Sequence, residues 1–243
     1  MRMRKKPNLI PRMARCAHVN IQTPEACRGQ WLTKYPGFHS LHLEIGCGKG
    51  RFTAATAAIM PDTLFVAVER VPDALVVAME RVDEQKLPNV FFIDRDAKNL
   101  EAYFAPGEVD RIYINFCDPW PKSRDAKHRL TAPGFLRRYA RLLPEGGEIH
   151  FKTDNTPLFR WSVAQMEAEG WLLRELTYDL HANGPTGIMT DYEAKFYAMG
   201  TQIGRVVAIK GPNTISQGEP ERLRNASLSD VRGNFSLEVT QCG

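Results

Sequence analysis

The chain has 243 residues, 43% hydrophobic and 25% charged, which is enough for one sizeable α/β core with extensions but not for a second full domain. No apolar run is long enough to cross a bilayer, and the N-terminus carries charge without the apolar stretch of a secretion signal or the serine richness of a transit peptide. A soluble, cytoplasmic protein without a membrane partner is expected, and the net charge of +4, with Arg2, Arg4, Lys5, Lys6, Arg12 and Arg15 crowded at the start, predicts an acidic partner.

In chain order, the segment from Arg12 to His39 carries no strong pattern and reads as a cover for a pocket or a dimer contact. Leu41-His42-Leu43-Glu44-Ile45 is an apolar run that breaks into glycines at alternate positions, Gly46, Gly48 and Gly50. Such a loop lets the backbone turn through positive φ and lets a ligand lie against the main chain, and Arg51 to Ile59 reads as the helix that follows it. The bare G-x-G-x-G pattern also fits a tight turn or a dinucleotide fold. Leu64 to Val68 is a second strand ending in Glu69, about twenty residues past the glycines, where a carboxylate can hold a ribose diol. With an acid two residues before the first glycine and Arg51 at the last fingerprint position, the pattern leans toward S-adenosylmethionine rather than a nicotinamide cofactor.

Pro72 to Val82 reads as a helix and Val90 to Ile93 as a third strand, leading to Asp94-Arg95-Asp96. Arg111 to Phe116 is a fourth strand running into Cys117-Asp118-Pro119-Trp120-Pro121-Lys122. A helix from about Pro133 to Leu143 precedes a fifth strand, Glu148 to Thr153, and Pro157 to Glu169 is a helix before a strand near Trp171 to Tyr178. Alternation of this kind predicts an α/β fold, Rossmann-like, with a mostly parallel central sheet, an antiparallel edge strand and helices on both faces. Glu69, Asp96 and Asp118 then fall at the carboxyl ends of successive strands, the ligand-binding edge of an open sheet. Any one of them could instead be a helix cap or a solvated turn residue.

Thr190-Asp191-Tyr192-Glu193, with Thr and Glu three apart before Phe196 and Met199, is the signature of a capped helix. The flexible loop before it, Ala182 to Gly187, would also let this helix start close on a base. Lys122, Arg124, Lys127, His128 and Arg129 form a basic run that suits a phosphate-tracking surface or a solvated face. Asp154, at the end of the fifth strand, suits either a base contact or a helix cap before Pro157. The five cysteines lack C-x-x-C spacing, and His42, His150 and His181 have no ligand partner at useful spacing, so reduced thiols and no metal are expected.

Glu44 to Gly50, Asp118 to Lys122, Phe151-Lys152-Thr153-Asp154-Asn155 and Thr190 to Glu193 together resemble the tRNA (guanine-N7)-methyltransferase family of the bacterial single-chain type, from the basic start to about Lys210. The resemblance implies a class I methyltransferase that transfers a methyl group from S-adenosylmethionine to N7 of guanine 46 in the tRNA variable loop. It also implies that Glu44, Gly46, Gly48, Gly50, Glu69, Asp96 and Asp118 line the cofactor site, with Asp118 where the methyl is transferred. Lys122, Asp154, Thr190, Asp191, Tyr192 and Glu193 would meet the substrate. The expected organisation is a basic arm and pocket-covering segment (1–39), a methyltransferase domain (40–210) and a mobile or loosely docked tail (211–243), in a monomer or homodimer with tRNA as partner. A class I methyltransferase with a protein, small-molecule or other RNA substrate would keep the glycines and Glu69 without needing the basic run. A non-catalytic RNA-binding module would keep the basic surface and lose the cofactor.

Overall fold

The computed structural model describes residues 5–215, and in them one sheet of seven strands: β1 Ser40–Ile45, β2 Thr63–Val68, β3 Val90–Ile93, β4 Arg111–Asn115, β5 Glu148–Thr153, β6 Leu172–Thr177 and β7 Gly204–Ile209. Their spatial order is β3-β2-β1-β4-β5-β7-β6. The first five run parallel, and β7 runs antiparallel to both β5 and β6. The antiparallel strand expected at the edge thus lies one place in from it. The crossover after β5 carries the chain to the outside, and β7 returns to fill the gap, burying Val206, Val207 and Ala208. β6 is left as the rim, with Leu172 and Leu176 exposed and a bulge at Glu175, whose φ is 50°.

Alternation along the strands divides the core in two. Leu41, Leu43 and Ile45 of β1 face Ile112, Ile149 and Phe151 together with helices α5 Leu100–Tyr103, α6 Pro133–Leu142 and α7 Thr156–Ala168. Phe65, Ala67 and Phe92 face the other way, against α3 Arg51–Ile59 and α4 Pro72–Glu84. α4 starts with Pro72 at its first position, where the missing N–H costs nothing, and its buried Leu75, Val76, Met79 and Val82 recur at helical spacing.

The segment before β1 is built into this body. Helix α1, Leu9–Arg15, rests on α4, with Arg12 forking onto the Glu80 carboxylate. Ile21 N–H then donates to the Phe92 carbonyl at 2.8 Å, and Asn20 bridges to the same residue along the outer edge of β3. The short helix α2, Trp31–Lys34, buries its indole completely: the ring stacks on Phe104, and its N–H donates to the Tyr103 carbonyl at 2.9 Å. The cover expected of this segment therefore lies over α5 and the β3 edge. At the other end, Thr214 donates to the Gly170 carbonyl and Ile215 N–H to that of Glu169, so the start of the predicted tail is docked. The rest of that tail, 216–243, lies outside the described residues.

One face of the sheet carries a polar cluster. The Tyr113 hydroxyl lies 3.4 Å from His42 Nδ1 and 3.4 Å from Arg111, and one Glu148 oxygen accepts from both Arg111 (2.7 Å) and His150 (2.8 Å). Burial, reinforced by the positive charge of Arg111, pushes the His42 imidazole down to about 3. The unfolded chain takes up this proton near pH 6.5, whereas the native state resists it until about pH 3, so the stability is complete above pH 6.5 and falls as pH falls. Between pH 6.5 and 5 the native protein is expected to lose about 2 kcal/mol through this group. The gap between urea midpoints at these two pH values should narrow in His42→Phe, with His150, also lowered by burial, keeping the remainder, and an unchanged gap in that variant would refute the assignment.

Candidate active site

A cavity of about 480 Å³ opens at the carboxyl ends of β1, β2 and β4, within the range of small-molecule sites. Its floor is the glycine loop. Gly46 and Gly48 have φ of 77° and 57°, and a Cβ on either would meet nothing within 4 Å, so bare backbone faces the open space. Gly50 serves a different purpose: at φ 71° it starts α3, and a Cβ there would lie 2.6 Å from that of Ala78, so its lack of a side chain sets the closeness of α3 to α4.

Glu69 ends β2 and lines the cavity. Its two oxygens accept from the Gly48 and Val71 N–H groups, each at 2.9 Å, which ties the acid to the loop and leaves further lone pairs for a ligand. Asp96 also lines it, and one of its oxygens caps the turn Ala97–Asn99 by accepting from Lys98 N–H at 2.9 Å. The cap and the wall are one residue. Glu44 sits beneath the loop, 2% exposed, with one oxygen accepting from Asn115 at 3.0 Å and the other from Thr53. Burial raises its pKa against these two hydrogen bonds, and the side chain ties β1, β4 and the start of α3 together.

Asp118 follows β4 at the mouth of the cavity, 3.6 Å from Arg70 in an exposed pair. The residues around it have unusual backbones: Phe116 has φ 54° and Trp120 has φ 42°, and both line the cavity. Between them the Cys117 thiol is pushed up to about 12 by burial and the adjacent Asp118 charge, so it stays protonated and is no nucleophile at neutral pH.

The distant part of the sequence arrives through helix α8, Asp191–Ala198. Thr190 and Glu193 form the complete capping box: the Thr190 hydroxyl accepts from Glu193 N–H at 2.9 Å, and Glu193 accepts from Thr190 N–H at 3.2 Å. Glu193 is fully buried and also takes Lys152 Nζ at 2.6 Å and His181 Nε2 at 3.1 Å. Thr186 N–H donates to Nδ1 of the same imidazole, which places the His181 proton on Nε2 and pins the loop before α8. Asp191 pairs with Arg81 of α4 at 3.0 Å. Of the four residues, Tyr192 packs on a residue that lines the cavity: its ring stands 5.2 Å from that of Phe116, and its hydroxyl donates to Asp154 at 3.3 Å. Asp154 is free for this because Asn155 caps α7, accepting from Leu158 N–H at 2.8 Å.

Lys122, Arg124 and Lys127 are exposed beside the cavity, but the basic run is not one surface. His128 turns inward onto Trp120, ring centres 5.2 Å apart, and Arg129 is engaged with backbone carbonyls. Lys152 and His181 are participants that sequence reasoning did not assign, and Arg129, read there as one of a basic run, braces backbone carbonyls instead. The polar alternation Glu148, His150, Lys152 in a central strand was the available signal for the first. Among the described residues there is no cluster of three or more metal-ligating side chains.

Burial lowers the Lys152 pKa and Glu193 holds it up, so the Lys152 charge leans on its partner. Lys152→Met alone leaves a buried carboxylate without its counter-ion and should cost about 3 kcal/mol in chemical denaturation. Adding Glu193→Gln should recover part of that loss, whereas strict additivity of the two substitutions would mean that the charges are not coupled.

A family model described as a putative methyltransferase matches residues 39–206. A tRNA (guanine-N(7)-)-methyltransferase of Exiguobacterium sp. strain AT1b is 45% identical over 213 residues, spanning 87% of this chain and 99% of that protein. Among solved structures, the 16S rRNA methyltransferase KamB superposes with a TM-score of 0.60 at 15% identity, covering 76% of this chain and 94% of the other. The antibiotic-resistance methyltransferase Kmr gives 0.53 at 17% identity, covering 76% and 92%. At such identities these two speak for the fold alone, the Rossmann-like class I methyltransferase fold. With the cavity, its glycine floor and its strand-end carboxylates in place, the extent and level of identity make this chain a member of the tRNA (guanine-N7)-methyltransferase family, whose methyl donor is S-adenosylmethionine.

Proposed function

We propose that this protein methylates N7 of a guanine in tRNA, the guanine at position 46 of the variable loop, from S-adenosylmethionine. The observation that carries the reading is the meeting, around one cavity, of Glu69, Asp96 and Asp118 with an aromatic wall of Phe116, Trp120 and, behind Phe116, Tyr192. The open backbone of Gly46 and Gly48 and the free lone pairs of Glu69 fit a nucleoside ligand, and in this reading residues 40–210 are the methyltransferase domain. In this reading Glu69 accepts the ribose hydroxyls, Asp96 the adenine amino group, and Glu44 places negative charge beneath the loop toward the methionine ammonium. Gly50 contributes by seating α3. A cytoplasmic location follows from the substrate.

S-adenosylmethionine supplies an electrophilic methyl group. Guanine N7 carries a lone pair and has no proton to lose, so the protein needs no general base. Its task is alignment, and holding a near-attack geometry can remove several kcal/mol from the barrier. Positive charge develops on the guanine imidazole ring, and Asp118, at the cavity mouth, stabilises it. Phe116, Trp120 and Tyr192 offer faces for a base taken out of its stack, and Tyr192 orients Asp154 toward the base edge. Thr190, Asp191 and Glu193 hold that wall in place through the capping box, the Arg81 pair and the Lys152 pair. Lys122, exposed with Arg124 and Lys127, meets phosphates and positions the RNA without reading its sequence.

Incubation of the protein with labelled S-adenosylmethionine and unmodified tRNA should place label in 7-methylguanosine, identified after nuclease digestion. Replacing guanine 46 by adenine should abolish it. Asp118→Ala should lower kcat about 100-fold in a folded protein that still binds the donor. Label in a different nucleoside, or donor binding without RNA labelling, would overturn the assignment of substrate.

A further inference from the structure

Asp118 stands between two bulky residues held at positive φ, Phe116 at 54° and Trp120 at 42°. Each such backbone costs about 1–3 kcal/mol and persists only where its surroundings impose it. Arg129 supplies that restraint on the Trp120 side. Its Nε donates to the Pro119 carbonyl at 3.0 Å and the Trp120 carbonyl at 3.3 Å, and Nη2 donates to the Trp120 carbonyl at 3.0 Å. The guanidinium in turn lies 4.3 Å from the centre of the Trp161 ring on α7. A planar fork meets two successive carbonyls on one side, and the body of the fold supports it from the other. An ammonium could supply the charge but not this shape.

We propose that Arg129 is a positioning residue for methyl transfer: it holds the strained Asp118-Pro119-Trp120 turn so that Asp118 and Trp120 face the reacting base, and it does not serve as a phosphate contact. The proposal rests on the reading that Asp118 and Trp120 act on the methyl acceptor. It separates Arg129 from Lys122, Arg124 and Lys127, its neighbours in the basic run, which remain exposed.

The discriminating variant is Arg129→Lys, which retains a positive charge and loses the fork and the stacking. Its kcat for tRNA methylation should fall at least 10-fold, while the donor Kd, the KM for tRNA and the salt dependence of tRNA binding stay within about threefold of the wild type. Arg129→Ala should behave the same way. A phosphate contact predicts the opposite pattern: Arg129→Lys close to wild type, and Arg129→Ala weakened in tRNA affinity with a shallower salt slope, by about one. Trp161→Leu leaves Arg129 in place and removes its stacking partner, with some packing against the core, so it should lower kcat in the same direction at unchanged KM. An unchanged kcat there refutes the proposal even if both Arg129 variants fold poorly. Wild-type protein that labels no tRNA would sink the functional reading, whereas wild-type labelling with an undiminished Arg129→Lys sinks the positioning role alone.

Discussion

The site depends on a point of topology: β1 and β4 are neighbours in the sheet although two other strands separate them in sequence. From β1 the chain works outward through β2 to β3, then crosses back to β4 and continues the other way. Segments leaving the carboxyl ends of β1 and β4 therefore diverge onto opposite faces, and no connection fills the crevice between them. The glycine loop enters it from one side and the Asp118 turn from the other. Right-handed crossovers leave little alternative once the strand order is set, so the cavity is a property of the winding before it is a property of any side chain.

The acids around the site are held in place by contacts within the protein itself. Glu69 is aimed by two backbone N–H groups, Glu44 braces three elements from below, and Glu193 gathers Lys152, His181 and its own helix cap into one buried knot. A carboxylate with several donors resists reorientation, and a reaction that needs alignment more than proton transfer profits from such rigidity. The ionic cost of burying Lys152 and Glu193 is offset only while both are present, so losing either one alone weakens the wall that bears Tyr192.

Much of this was legible in the sequence, for physical reasons. Apolar runs of strand length bounded by glycine and proline located most of the elements to within a residue or two, and the strand-end acids followed from them. The Thr190–Glu193 box was readable because its partners are three residues apart. What escaped was non-local. His181 and Glu193 are separated by a loop, and Lys152 by 41 residues from its counter-ion, so neither pairing leaves a local trace. Arg129 sat in a run of charges that resembles a solvated face, and only the folded turn distinguishes it from Lys127. The position of β7 between β5 and β6 depends on which gap the sheet leaves open, which no window of residues records.

The two rims of the sheet have a bearing on how the molecule behaves in company. An open sheet exposes a row of unpaired amides and carbonyls at each end, a template onto which another chain can add. Here the β3 rim is occupied by the chain's own Asn20-Ile21, and the β6 rim is broken by the bulge at Glu175. Neither offers a long flat strand to a stranger. The β3 rim is thereby closed to edge-to-edge pairing by the chain's own N-terminal segment, and the β6 rim by its bulge.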